Sequence, residues 1–309
     1  MLGVKHQHPF KLGRKAWARI LKRVFNDITD NRLDLIAAGI TFFIILSIFP
    51  LMIALVSVFG LIADQQFISD NLGRILFVIP SQAESLIKTE LSEIIATSKS
   101  ELSWGLVISV IGALWSAAKG ARALISGMNV VYKEKEERSI IRIYITSLVF
   151  TFGIIILAIA VPFTISLLPL ILDTFFPFLD QNLLLDVGRY ILAIAALVFG
   201  LATLRRWGPS RRPARWQWIS FGSLLTTAFW LFGSIALGFY FQQTSSLQAY
   251  GSLGSAIAFM LWLYLAAYIT LLGSQLDAEI EHEVQVDTTV GKERPAGKRG
   301  AYVADTVAR

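Results

Sequence analysis

The chain contains no cysteine. Disulfides, thiolate metal sites and cysteine nucleophiles are therefore excluded. Histidine is nearly as scarce. His6, His8 and His282 are the only three, and they are too scattered for a metal site. Charged residues make up 16% of the chain, against roughly 25% in soluble domains. There is no GxSxG, no HExxH, no phosphate-binding loop, and no GxGxxG in a strand context. These absences remove the common enzyme classes and imply neither metal nor cofactor. The opening MLGVKHQHPFKLGRKAWARI lacks the apolar core and cleavage site of a signal peptide, so the first membrane helix is expected to act as an uncleaved insertion signal.

What the chain has instead is hydrophobic residues, at 55%, gathered into six runs near 36–62, 102–125, 143–172, 187–204, 217–241 and 253–276. A helix needs about 20 apolar residues to cross a bilayer. Five runs reach that length and the fourth is at the short end of the range. Four of them hold no Asp, Glu or Lys, and Arg189 is their only Arg. The expected fold is all-α: a polytopic membrane protein with six transmembrane helices over 33–276. Lys and Arg mark its orientation. Of the 28, 24 fall in 1–32, 119–142, 205–216 and 277–309, and the alternate connections hold almost none. Cytoplasmic loops carry the Lys/Arg excess, which predicts a multi-pass protein of the bacterial inner membrane with both termini cytoplasmic. The net charge of +6 is then a basic face against anionic membrane lipids, with no nucleic acid required.

Between the runs, three segments have patterns of their own. Residues 11–30 repeat Trp17, Ile20, Leu21, Val24 and Ile28 at helical spacing among basic residues, as in an amphipathic helix on the inner leaflet. Residues 64–101 read as two amphipathic helices broken at Pro80, an external hairpin capping the bundle. After Ala278 the pattern fades, and 277–309 reads as a disordered cytoplasmic tail, with the acids of EIEHEV (279–284) solvated. Pro50 and Pro162 are expected to kink the first and third spans. Small residues around Gly251, Gly254, Ser255 and Ala258 allow close helix packing, and with it a homodimer. The first three and last three spans share no repeat.

The richest stretch is the end of the second span, WSAAKGARALISGMNVVY. Ser116, Lys119, Arg122 and Asn129 share one helix face, as their spacing requires. Cations there are costly unless they face protein, water or phosphate. They form either a site for an anionic headgroup or two side chains that snorkel to the interface and fix orientation. Asp34 and Asp277 open the first span and close the sixth, where either could pair with Arg122 or Lys119 as a gate; Asp34 also suits a first-turn acid. RRWGPSRRPAR (205–215) reads mainly as a topology signal.

Three stretches together resemble a known family: DLIAAGITFFIILSIFPLM (34–52), LWSAAKGARALISGMNVVY (114–132) and YGSLGSAIAFMLWLYLAAYITLLGSQLDAEI (250–280). They are similar to the YihY/BrkB family of bacterial inner-membrane proteins, over essentially 15–282. One departure is Gln275, where the family's pattern has an acid. The resemblance implies a six-helix inner-membrane protein of unsettled role. It also brings an old ribonuclease label that these residues argue against, since they offer no cluster for the two metals usual in phosphodiester hydrolysis. Translocation of an anionic lipid or similar amphiphile suits the cationic stripe; a non-transporting envelope scaffold or assembly factor is the alternative.

Overall fold

In lipid every backbone N–H and C=O must find its partner inside the chain, which leaves uninterrupted helices as the economical solution for runs this apolar. The computed structural model describes residues 12–62, 102–175, 181–243, 252–284 and 286–306, and these are helical with no named strand. A short helix α1 (Arg14–Asp30) precedes α2 (Leu33–Ile62), α3 (Leu102–Val131), α4 (Ile140–Phe175), α5 (Gln181–Trp207), α6 (Trp216–Gln243) and α7 (Ser252–Glu283). A single turn, α8 (Tyr302–Asp305), closes the chain. Among the described residues four helices, α4 to α7, are long and apolar enough to cross a membrane, and the spans number five if α1 with α2, bent by 61° at their junction, is one broken span. The chain is thus an all-α polytopic membrane protein. The expected external hairpin 64–101 lies outside the described residues. Pro50 and Pro162 both fall within continuous helix.

The helices pack as a closed ring. Each of α2 to α7 contacts the next, α7 closes on α2, and α3 touches α7 across the middle. Gly127 makes the α2–α3–α7 junction possible: a Cβ there would stand 2.9 Å from Ile36 and 3.0 Å from Leu271. Around it lie Leu33, Ala37, Ile40, Met128, Val131 and Leu271. On α4, α5 and α6, the buried described residues all lie near one end: Ser147 and Thr151, Leu201 to Arg205, and Gly222 to Thr227. That end also carries α1, the loops 132–139 and 208–215, and the tail. It is called the capped end below.

Two expectations are corrected at the capped end. The apolar side of α1 is not a single membrane-facing surface. Ala16, Ile20 and Val24 are buried against Leu276 and Ile280 of α7 and Val284 just after it, while Leu21 and Phe25 point outward. Burying Ile20 completely is worth about 1.5–3 kcal/mol. The tail is not a disordered strand of chain either. Residues 286–306 fold onto the loops, with Val290 N–H donating to Pro213 O (3.0 Å), Arg215 N–H to Thr288 O (2.8 Å) and Arg212 N–H to Gly300 O (2.8 Å). Arg299 draws the segment into a knot through Val286 O, Arg294 O and Ala304 O.

Candidate functional site

The last turns of α7, Asp277-Ala-Glu-Ile-Glu-His-Glu283, place an acid at every second residue. Each residue of an α-helix advances about 100°, so Asp277 and Glu281 share one side while Glu279 and Glu283 share the other. The two sides hold different parts of the molecule. On the first, Arg211 of the 208–215 loop binds Glu281 with both terminal nitrogens (2.7 and 3.2 Å), and its guanidinium lies 4.4 Å from the centre of the Tyr132 ring. Thr288 of the tail donates to the same carboxylate at 2.9 Å. On the second, Arg19 and Arg23, one helical turn apart on α1, bind Glu283 and Glu279. The Arg23 Nη2 also reaches Glu283 at 2.9 Å. Lys133 adds contacts to Asp27 (3.0 Å) and Glu279 (3.7 Å). The acids of EIEHEV are therefore not a solvated run. They key α7 to α1 on one side and to the α5–α6 loop on the other.

Deeper in the same end, Arg205 of α5 is wholly buried and Asp277 is 1% exposed. Arg205 donates from Nη1 to Asp277 Oδ2 (2.8 Å) and Ser223 (3.2 Å), from Nε to Ser274 (3.2 Å) and from Nη2 to Thr226. Two glycines make room for this pair. A Cβ on Gly222 would fall 1.7 Å from Asp277 Oδ1, and one on Gly273 would fall 1.7 Å from Thr226 Oγ1. One guanidinium thus joins α5, α6 and α7. The other Asp277 oxygen and the Tyr132 hydroxyl are buried with no hydrogen-bond partner among the described residues.

The loops are stapled to each other. Asn129, at the end of α3, donates to Glu136 (2.8 Å) and accepts from the Ser210 N–H (2.7 Å). Arg138 grips Glu136 (2.7 Å) and the Gly208 carbonyl (2.9 Å). Hydrogen bonds from Arg138 hold the Glu136 carboxyl down at about 2, well below the usual carboxylate range. Burial instead pushes Glu134 up, although its carboxylate accepts the Tyr302 N–H at 2.7 Å.

Of the residues singled out from sequence, Asp277 pairs with Arg205 rather than with Lys119 or Arg122. Asp34 is exposed and makes no ion pair among the described residues. Ser116 is buried on α3. Lys119 and Arg122 are half-buried and have no acidic partner among the described residues. The Lys119 Nζ sits 3.6 Å over the Trp115 ring, and the Arg122 guanidinium 4.0 Å over Tyr144 of α4. Both rings are exposed on the outer surface of the bundle. A Cβ on Gly120 would lie 3.5 Å from Ile44, so the turn bearing Lys119 is level with Ile44. That is eleven residues of helix, about 16 Å, beyond Leu33, or roughly half of a hydrocarbon layer.

Residues 24–298 match the family described as Virulence factor BrkB. The chain belongs to the BrkB family. It is 27% identical over 282 residues to the ribonuclease-like protein YfkH of Bacillus subtilis, covering 84% of this chain and 94% of that one. It is 24% identical over 261 residues to a UPF0761 membrane protein of Paraburkholderia xenovorans, covering 80% of this chain but only 56% of that one. No solved structure matches. In this BrkB-family chain, among the described residues, no three of His, Asp and Glu come together as a metal-holding group.

The α1 clamp gives a direct expectation. Arg19→Ala with Arg23→Ala leaves Glu283 buried without its two arginines and Glu279 without Arg23, keeping Lys133 at 3.7 Å, and α1 should detach. Tryptic cleavage at Arg32, in the turn after α1, should speed up about tenfold or more, the equivalent of about 1.4 kcal/mol. Unchanged cleavage would mean that the Ile20 face alone holds α1.

Proposed function

We propose that this BrkB-family protein translocates an anionic amphiphile, such as a lipid, across the bacterial inner membrane, and that it is not an enzyme. In this reading it spans the membrane six times with the capped end in the cytoplasm, where the Lys/Arg excess belongs. Lys119 and Arg122 bind the headgroup, Ser116 lines the path beside them, and kinks at Pro50 and Pro162 allow a lateral cleft. Asn129, engaged at both ends of its amide, holds the loops rather than the substrate. The Arg205–Asp277 pair keeps the cytoplasmic end shut. Asp34 takes no part in that gate.

The observation that carries the reading is a pair of cations with no acidic partner among the described residues, Lys119 on the turn level with Ile44 and Arg122 one turn nearer the capped end, each against an exposed ring. Snorkelling would leave a charge near the surface, but the Lys119 turn stands further from Leu33 than a lysine side chain reaches, and its Nζ lies over Trp115, one turn further from the capped end. An anionic headgroup removes the cost of those charges. The scaffold reading has the cap in its favour: α1, two loops and the tail are bound into one ordered surface.

Native mass spectrometry of the detergent-purified protein separates the two. Wild type should retain an anionic phospholipid, and Lys119→Ala/Arg122→Ala should retain about tenfold less. Equal retention would reduce the two cations to anchors and leave the scaffold reading standing.

A further inference from the structure

A groove of about 580 Å³ runs along the outer wall of the ring between α2 and α7, away from the α3–α4 face that carries Lys119 and Arg122. Its walls are exposed apolar side chains, Phe42 and Leu46 on one helix and Met260 and Leu261 on the other. Two hydroxyls line it: that of Thr41, which already donates to Ala37 O at 2.7 Å, and that of Tyr264 at the end nearest the capped end. The groove therefore offers a hydrogen-bonding ligand little and a hydrocarbon chain a great deal. Its length along α2, Ala38 to Leu46, is about 12 Å.

The mouth nearest the capped end differs from the rest. Asp34 stands one turn before Ala38 on the same stripe of α2, as i and i+4 positions do. It is exposed, and its side chain has no ion pair or hydrogen bond among the described residues. Two residues earlier, in the turn between α1 and α2, Arg32 is likewise exposed without an ion pair among the described residues. An exposed acid on the groove's own stripe of α2, and an exposed base two residues before it in sequence, thus lie toward the capped end of an apolar slot. That charge arrangement complements a zwitterion, ammonium to Asp34 and phosphate to Arg32.

We infer that the α2–α7 groove holds one acyl chain of a phospholipid whose headgroup carries a primary ammonium group, seated at Asp34. The site is separate from the anionic site proposed on α3, and it stands whether or not that site binds anything. Its occupant is a lipid of the leaflet at the capped end, and its selectivity is opposite in sign.

The test uses the full chain in nanodiscs containing equal phosphatidylethanolamine and phosphatidylglycerol, read by native mass spectrometry after gentle release. Wild type should carry a phosphatidylethanolamine adduct in excess. Ala38→Trp fills the slot from an exposed position and should cut that adduct about tenfold, and Met260→Trp on the facing wall should do the same if Ala38→Trp folds poorly. Asp34→Asn should keep a lipid adduct but lose about two- to fivefold of the preference, the range of an exposed charge pair. Lys119→Ala/Arg122→Ala should keep the phosphatidylethanolamine adduct unchanged, which separates this site from the other. A phosphatidylethanolamine adduct of wild-type size in both tryptophan variants would overturn the inference. So would a wild-type dimer that Ala38→Trp dissociates, since the groove would then belong to a second copy of the chain.

Discussion

Replacing Asp277 with alanine is expected to lower the stability of the detergent-solubilised protein by about 3–5 kcal/mol. Arg205 is fully buried, and its guanidinium is satisfied by one carboxylate and three hydroxyls on α6 and α7. Hydroxyls can solvate the cation but cannot neutralise it. Removing the carboxylate leaves a full charge between three helices with no route to water. Arg205→Ala should cost a similar amount from the other side, because it strands Asp277 and empties a large volume. The measurement is the midpoint of thermal or denaturant unfolding for each variant beside wild type. A change in Asp277→Ala within about 0.5 kcal/mol, the range of an ordinary surface substitution, would sink the idea that this pair locks the capped end.

A third variant tells what the lock is for. Arg205→Met with Asp277→Leu removes both charges together, and such replacements are often neutral or stabilising. Recovery of most of the lost stability would mean that the ion pair was not retained for stability. A gate fits that outcome, because a pair that is costly to break singly but dispensable jointly can switch between two states. The absence of native cysteine makes the companion experiment clean. A single Ser223→Cys reporter should be protected from aqueous thiol reagents in the wild-type background and become labelled in the Asp277→Ala background.

The membrane helices were legible because long apolar runs in lipid have few alternatives. Their ends were less so. The run ending at 276 continues as helix to Glu283, and the run ending at 125 continues to Val131. Each was cut short where polar residues appear, yet those residues are paired within the fold and the helix carries on past the apolar layer. Asp277 was recognisable as a candidate for an ion pair, but its partner Arg205 was not. Five arginines crowd 205–215, and that Arg205 is buried depends on the phase of α5, where Leu201, Leu204 and Arg205 fall on one side. The signal for the α1 clamp was present, in acids at 279 and 283 and arginines at 19 and 23 with the same four-residue step. It pairs segments some 260 residues apart, as the separations of 256, 260 and 264 residues between bonded partners show, and no local pattern announces such a match. The tail left no apolar period to read, because it is held largely by backbone hydrogen bonds and by Arg299.

Gly222→Ala, the smallest substitution available on α6, is expected to cost about 3 kcal/mol or more, while the same change at Gly238 on the same helix should be neutral or slightly stabilising. The added methyl at 222 would stand 1.7 Å from Asp277 Oδ1 and 2.2 Å from Asp277 Cγ. The short Asp277 side chain is held by Arg205, so it cannot swing aside without breaking the pair. Overpacking alone costs about 1–3 kcal/mol, and loss of the ion pair adds to it. Gly238 has nothing within 4 Å of the corresponding position, so only the helix preference for alanine over glycine, at most about 1 kcal/mol, remains. The two sites thus separate a steric effect at the lock from a general effect of glycine on α6. Coupling identifies the clash itself. In an Asp277→Ala background the obstructing carboxylate is gone, and Gly222→Ala should cost much less than it does in wild type, a deviation from additivity of about 1–3 kcal/mol. Additive effects would mean that Gly222 is needed for something other than the room it gives to Asp277.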